Sequence, residues 1–399
     1  MSDTTRGVTM PARALNGLLL SGLLFSAPVL AEGMKVGNTE FSFSGYVKLD
    51  VMYSEYSDGD VPAASIGRDY FYTNTIPVNA APGMDDSHSF LDMHAKQSRI
   101  VFKTKSDIGG EIIGTHFEFD FNNSPGGNEV VSNSYSPRLR QAYFTWREWL
   151  FGQTWSTFQN VAALPETIDF IGPAESTVFI RQSQVRYTHG PWQFSVENPE
   201  TVALPNGGGA TVTTDDNVLP DLVGRYNLGF AGGSDLSIAV LAHSLAVDDS
   251  IPGVDDEVYG YGVSAAGTVK LGADDIKWML NYGDGVGRYV GVGVLPGAVV
   301  DDDGDLETIS SLSGYLAYRH FWTPQWRTQL VYGVFEGDAD TDLTGEAVNA
   351  SAQSAHVNLL YSPNKALTFG VEYLYASREL ENGEDGDLNR VQFGAKYAF

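Results

Sequence analysis

The chain has 399 residues, 50 acidic against 24 basic, a net charge of −26 and no cysteine. So acidic a chain does not hold nucleic acid or an anionic surface by general electrostatics. Without cysteine it has neither disulfides nor thiolate metal sites.

The first element is a targeting signal. Arg6 and Arg13 form a basic region before an apolar run, "LNGLLLSGLLF" (15–25), and "APVLA" ends at Ala31 with small or β-branched residues at the cleavage offsets. This is the pattern of a secretory signal peptide over residues 1–31, with an apolar run too short to span a membrane. Residues 32–399 are then expected to form one domain. No later stretch approaches the roughly 18 apolar residues of a spanning helix. A mature chain that lives in a membrane therefore has to cross it as a barrel, and one closed sheet can use this whole length.

From there on the dominant signal is period-two alternation. "FSFSGYVKLDVMY" (41–53) puts Phe41, Phe43, Val47, Leu49, Val51 and Tyr53 on one side, with Ser42, Ser44, Lys48 and Asp50 on the other. About sixteen such runs follow one another, each near the ten-residue length of a membrane strand. They span 41–53, 96–106, 111–121, 138–147, 149–154, 179–188, 192–198, 221–230, 234–244, 257–270, 275–283, 308–321, 325–336, 352–361, 367–377 and 388–399. The connections alternate in length. Short ones such as "DIGG" (107–110), "HGP" (189–191) and "WTP" (322–324) have tight-turn compositions. Long ones lie near 54–95, 122–137, 155–178, 199–220, 245–256, 284–307, 337–351 and 378–387. Short periplasmic turns, long outer loops and an even strand number predict an all-β fold, a transmembrane antiparallel barrel of about 16 strands. A soluble sandwich would not sort its connections by length.

Charge follows the same map. Acids crowd the long loops, as at Asp301, Asp302, Asp303 and Asp305. Bases sit inside strands on the face opposite the aromatics, among them Lys48, Arg99, Arg138, Arg140, Arg186, Arg225, Lys277, Arg319, Arg327, Arg390 and Lys396. A charge facing lipid at mid-membrane costs roughly 2–4 kcal/mol, so these side chains are expected in the lumen. An acidic chain then encloses a basic interior.

The third long loop, "WSTFQNVAALPETIDFIGPAESTVF" (155–179), holds few acids and many apolar residues. Such a loop is expected to fold inward and form the constriction, with Glu166, Asp169 and Glu175 facing lumenal arginines across a transverse field. Burial at a subunit contact is the plainer alternative. The arginine candidates are Arg99, Arg138, Arg140, Arg181 and Arg186. Arg138 and Arg140 share a parity, and Arg186 takes the lumenal one, whereas Arg181 has the opposite parity at a strand edge and is placed to hold the third loop. Guanidinium groups read carboxylates bidentately, which favours small organic anions. The same arginines could instead pair with Glu118, Asp120 and Glu197 for stability.

Signals of catalysis are weak. The seven histidines show no metal-ligand spacing, and no nucleophile-elbow motif occurs. "DDDGD" (301–305) lacks the acid spacing of a calcium loop and reads as a solvated tip. No enzyme, metal or cofactor is expected. The alternatives are a lipase-like barrel enzyme and a structural barrel without conductance.

"FSGYVKLD" (43–50), "SRIVFKTKSD" (98–107), "RLRQAYFTWREWLFGQTWSTF" (138–158) and "RQSQVRYTHGPWQFSVENPE" (181–200) resemble the DcaP-like trimeric porins of Gram-negative bacteria. The resemblance covers nearly the whole mature chain and is strongest over 138–200. It implies a sixteen-strand homotrimeric outer-membrane barrel that passes small anionic solutes, notably dicarboxylates. Its arginine-rich eyelet carries over onto Arg99, Arg138, Arg140 and Arg186, and less directly onto Arg181. It also implies that the terminal Phe399 is the signal read by the barrel-assembly machinery. Some members have a helical segment before the barrel; here only "EGMKVGNTE" (32–40) stands in that place.

Overall fold

The computed structural model describes residues 33–78, 87–123, 130 and 132–399. The expected signal peptide lies outside the described residues. The alternating runs become strands with one wet and one dry face. In β1 (Thr39–Tyr56), Lys48, Asp50, Met52 and Ser54 are buried, while Val47, Leu49 and Tyr53 are exposed. The exposed apolar side is the one a bilayer would cover.

The strands follow in chain order as β2 (His88–His94 and Arg99–Ile108), β3 (Glu111–Asp120), β4 (Arg138–Trp146), β5 (Trp149–Trp155), β6 (Arg181–His189) and β7 (Trp192–Glu197). Then come β8 (Asp221–Gly229), β9 (Asp235–Asp248), β10 (Asp255–Leu271), β11 (Asp274–Asp284) and β12 (Ser310–Phe321). The last are β13 (Trp326–Asp338), β14 (Asn349–Tyr361), β15 (Leu367–Leu380) and β16 (Asp385–Ala398). Each pairs antiparallel with the next, and β16 returns to β1 with Tyr397 opposite Val47 and Arg390 opposite Ser54. The result is the closed sixteen-strand barrel that the alternation predicts, and every predicted strand is present. At the seam Phe399 exchanges two backbone hydrogen bonds of 3.0 Å with Gly45, and its ring lies 5.3 Å from Phe43.

One strand differs from expectation. β2 begins at His88, inside the stretch read as a loop over 54–95. It is interrupted at 95–98: His94 pairs with Asp50 and Arg99 with Tyr46, so β2 carries one more residue than its partner. A bulge of this kind breaks the alternation, which hid the first half of the strand.

The interior is filled by loops. Loop 3 (156–180) is buried along most of its length, as the apolar composition predicts. Two further loops also turn inward, although their sequences read as outer loops. Loop 1 (57–78) contributes Tyr70, Phe71 and Ile76, and loop 6 (285–309) contributes Val286, Tyr289, Val294 and Leu295. Val290 bridges Val178 of loop 3, and Phe71 N–H donates to Asp169 at 2.8 Å. The acids at 301–303 disguised loop 6, whose preceding residues "VGRYVGVGVLPGAVV" are almost wholly apolar or glycine. Above the barrel, Thr201–Leu204, Val212–Thr214, Ala298–Val300 and Leu306–Thr308 form a small four-stranded sheet. It packs on Leu245, Val247, Ile251 and Val254.

Candidate functional site: the lumenal constriction

The arginine wall is built on β2 to β6. Arg138 grips Asp120 through two hydrogen bonds of 2.8 and 2.9 Å. Arg140 reaches Asp120 at 2.8 Å and Glu118 at 2.5 Å, and Arg99 lies 3.4 Å from Glu118. Three guanidinium groups thus share two carboxylates and leave a net positive cluster. The ladder slips beside it: Glu118 pairs with Gln141 and Phe119 with Leu139, so Arg140 has no opposite residue. This bulge turns both Arg140 and Gln141 inward. Arg181 lies 4.6 Å over the Trp155 ring, and its Nη1 has no hydrogen-bond partner among the described residues. Arg140 also stands over Trp155 and Phe170, at 5.6 and 5.3 Å. Aromatic faces hold the cations while leaving N–H groups for a solute.

Opposite this cluster runs the crest of loop 3. A buried loop has to find partners for its backbone, because each unpaired polar group out of water is costly. Much of the basic lumen serves that need. Lys277 donates to Leu164 O and Lys48 to Ile168 O, each at 2.7 Å. Asn358 donates to Glu166 O at 2.8 Å and Tyr315 to Ala163 O at 3.0 Å. Arg186 and Arg225 donate to Trp155 O and Gln159 O. Glu372 accepts the N–H groups of Ile168 and Asp169 at 2.8 and 3.0 Å. The floor is cut to shape as well. A Cβ at Gly370 would lie 2.8 Å from Ile168 Cδ1, and one at Gly394 2.9 Å from Ile168 Cγ2.

The three loop acids have separate roles. Glu166 binds Arg319 at 2.9 Å and Arg327 at 2.8 Å on the far wall. Burial alone would raise its pKa, but the two arginines outweigh burial and hold it below the usual carboxylate value. Asp169 accepts from its own loop at Ile171 and Gly172, at 3.0 and 3.1 Å, and burial pushes its pKa up against the pull of Arg390. Glu175 touches Ser354 at 2.8 Å, and burial raises its pKa to about 7.

The structure therefore brings Arg99, Arg140 and Asp169 around one cleft, whose other walls are Trp155, Thr167, Phe170 and Phe179. Arg138 and Arg181 adjoin it through Phe170 and Trp155. Arg186, Glu166 and Glu175 are not in it; they hold loop 3 in place, and Glu166 and Glu175 do not face the arginine cluster. Glu197, offered by sequence as an arginine partner, instead accepts from Thr157 N–H at 2.8 Å and Ser195 at 2.7 Å. The sequence reading missed Trp155 and Phe170 as wall residues. Their place in the apolar loop beside two arginines was the available signal.

Residues 30–399 match the profile of the DcaP outer membrane protein family. The chain belongs to that family. The outer-membrane channel DcaP of Acinetobacter baumannii is similar over 92% of this chain and all of its own, with 26% identity and a TM-score of 0.74. The anion-selective porin of Comamonas acidovorans shares the fold at 14% identity and a TM-score of 0.54, covering 90% of this chain and all of its own. OmpF of Salmonella typhi does so at 11% and 0.53, covering 92% of this chain and all of its own. No curated protein matches the chain significantly. Family and fold together place the protein in the outer membrane as a member of a channel family.

Proposed function

We propose that the protein is a passive channel for small anionic solutes, dicarboxylates among them, which cross between the arginine wall and the crest of loop 3. The observation that carries this reading is the cluster of Arg99, half-buried Arg138 and Arg140, which outnumbers its carboxylate partners Glu118 and Asp120. Arg181 adds a fourth cation beside it with no carboxylate in its ion-pair shell among the described residues. Guanidinium donors in a narrow, low-dielectric passage favour carboxylates over cations. Asp169 is the acid of the opposite face. In the same reading, residues 1–31 are removed on export, residues 32–399 form one barrel domain, and Phe399 is recognised during assembly. Three copies associate through the lipid-parity face.

Reversal potentials across a planar bilayer in a potassium chloride gradient test the central claim. Anion preference is expected, reduced when the arginine cluster is neutralised. Cation preference, or anion preference indifferent to those arginines, would overturn it.

A further inference from the structure

The lumenal bases described so far hold carboxylates, aromatic rings or the backbone of loop 3. Two lysines on the lower half of β2 do none of these. Lys103 is half-buried and Lys105 exposed, and neither forms a hydrogen bond or an ion pair among the described residues. Both share the inward parity of Arg99, whereas Phe102 takes the lipid side. From Arg99, β2 runs to the short turn at 109–110, so the lysines lie on the periplasmic side of the arginine cluster. The four residues from Arg99 to Lys103 advance about 13 Å along the strand. With the usual barrel tilt that is roughly 10 Å of depth. One strand therefore sets Lys103 below the cluster, in series along the pore.

The inward rows of the sheet show how charge changes with depth. In the row of Val101, Glu118 stands opposite on β3 and binds Arg140 and Arg99. One row lower, Lys103 lies between Ser42 of β1 and His116 of β3. The His116 ring stacks on Tyr143 at 5.0 Å, and its Nε2 lies 3.5 Å from Glu118 in the row above. The row of Lys103 thus holds a hydroxyl, an imidazole and a phenol beside the ammonium, and no carboxylate. In the next row Glu40 stands between Lys35 and Lys105, two bases to one acid. Below the arginines the β1 to β4 wall therefore stays positive, with ammonium groups that water reaches.

We propose that Lys103 is the exit rung of the pore, the site that takes a carboxylate from the arginine cluster and passes it toward the periplasm. The proposal rests on the anion-channel reading and adds an order of sites to it. Guanidinium groups backed by rings in a narrow cleft hold a carboxylate firmly. Passage needs a weaker site within reach on the far side, because one deep site alone retains its ion. A solvated ammonium is such a site: it attracts an anion through water and lets it go. Lys105 continues the path one row lower, partly offset by Glu40.

The chain has no cysteine, so a thiol placed at position 103 is the only one. The test uses full-chain Lys103→Cys in planar bilayers, checked for unchanged heat-modifiability, with glutarate as the probe and block of the chloride current as the signal. At about 0.1 M potassium chloride, where charges act over about 10 Å, the variant is expected to lose glutarate block several-fold and to conduct chloride less well. Aminoethyl methanethiosulfonate, which attaches an ammonium to the thiol, should restore both. At about 1 M salt, where screening is complete within about 3 Å, its conductance should equal that of the unaltered protein. Block that is unchanged in Lys103→Cys, or lost and not restored by the reagent, overturns the rung and leaves the channel reading standing. A conductance loss that persists at high salt also overturns it, since that marks an altered bore and not a missing charge. Cation preference in the unaltered protein instead sinks the underlying reading, and the rung with it.

Discussion

The wall from β2 to β6 and the wall from β10 to β16 present the same aromatic and aliphatic surface outward, yet their inner faces differ. The first carries Arg99, Arg138, Arg140 and Arg181 with their ring contacts. The second carries glycines where loops 3 and 6 press against it, at Gly283, Gly333, Gly337, Gly370 and Gly394. The comparison teaches that the constriction is made by both. Long cations project from one side, and missing side chains on the other let the loop lie close against the wall. Lumenal charge alone is a poor guide to solute contact, because Lys48, Lys277, Arg186 and Arg225 serve the backbone of loop 3.

The sharpest way to break this contrast is to fill the second wall. A Cβ at Gly333 would fall on Glu175 Oε1 and within 2.7 Å of Pro173. Gly333→Leu is expected to unseat loop 3 and change single-channel conductance several-fold, with the strands intact by circular dichroism. An unchanged conductance would mean that the glycine wall does not position the loop. On the first wall, Arg140→Ala removes the guanidinium shared by two buried carboxylates, leaving Asp120 to Arg138 and Glu118 to the more distant Arg99, and should lower stability. The paired change Arg140→Met with Glu118→Gln removes one charge of each sign and should cost far less. It should still weaken anion preference in reversal-potential measurements, because Arg140 stands 5.3 Å over the Phe170 ring of loop 3. Equal destabilisation by the single and double changes would refute the pairing.

A third effect is smaller and depends on pH. The Glu175 carboxyl is raised from its ordinary 4.5 to about 7. The neutral form is therefore favoured in the folded state. Its stabilisation is complete below pH 4.5 and is lost as pH rises through 7, a difference of roughly 3 kcal/mol. The groups facing it are Ser354, His356 and Ser176. Glu175→Gln should flatten the dependence of the heat-modifiability midpoint between pH 5 and 8. The smallest change is a control: Glu111→Gln, which removes an exposed turn pair with Arg147, should alter neither conductance nor selectivity.

The barrel was legible because lipid imposes one rule on every second residue, and Val47, Leu49 and Tyr53 obey it without local exceptions. What escaped was whatever broke the period. The bulge at 95–98 hid His88–His94, and the slip at Arg140 turned Gln141 inward against its parity. The inward fold of loop 3 could be read from its apolar composition. The partners of Glu166 and Glu175 could not, because Arg319, Arg327 and Ser354 lie more than a hundred residues away and no local pattern links them. Loop 6 was obscured by averaging its apolar half with its acidic tip.

The partners of loop 3 also have a place in time. Besides nearer ones such as Glu197, Arg225 and Lys277, they include Lys48 at one end of the chain and Arg319, Arg327, Asn358, Glu372 and Gln392 toward the other. Loop 3 precedes all but one of them in the chain, and Lys48 reaches its place beside Lys396 only when the seam joins. The loop therefore has no complete floor until the last strands are in register. A fully seated loop 3 thus presupposes a closed seam, and the bore it narrows belongs to the finished barrel.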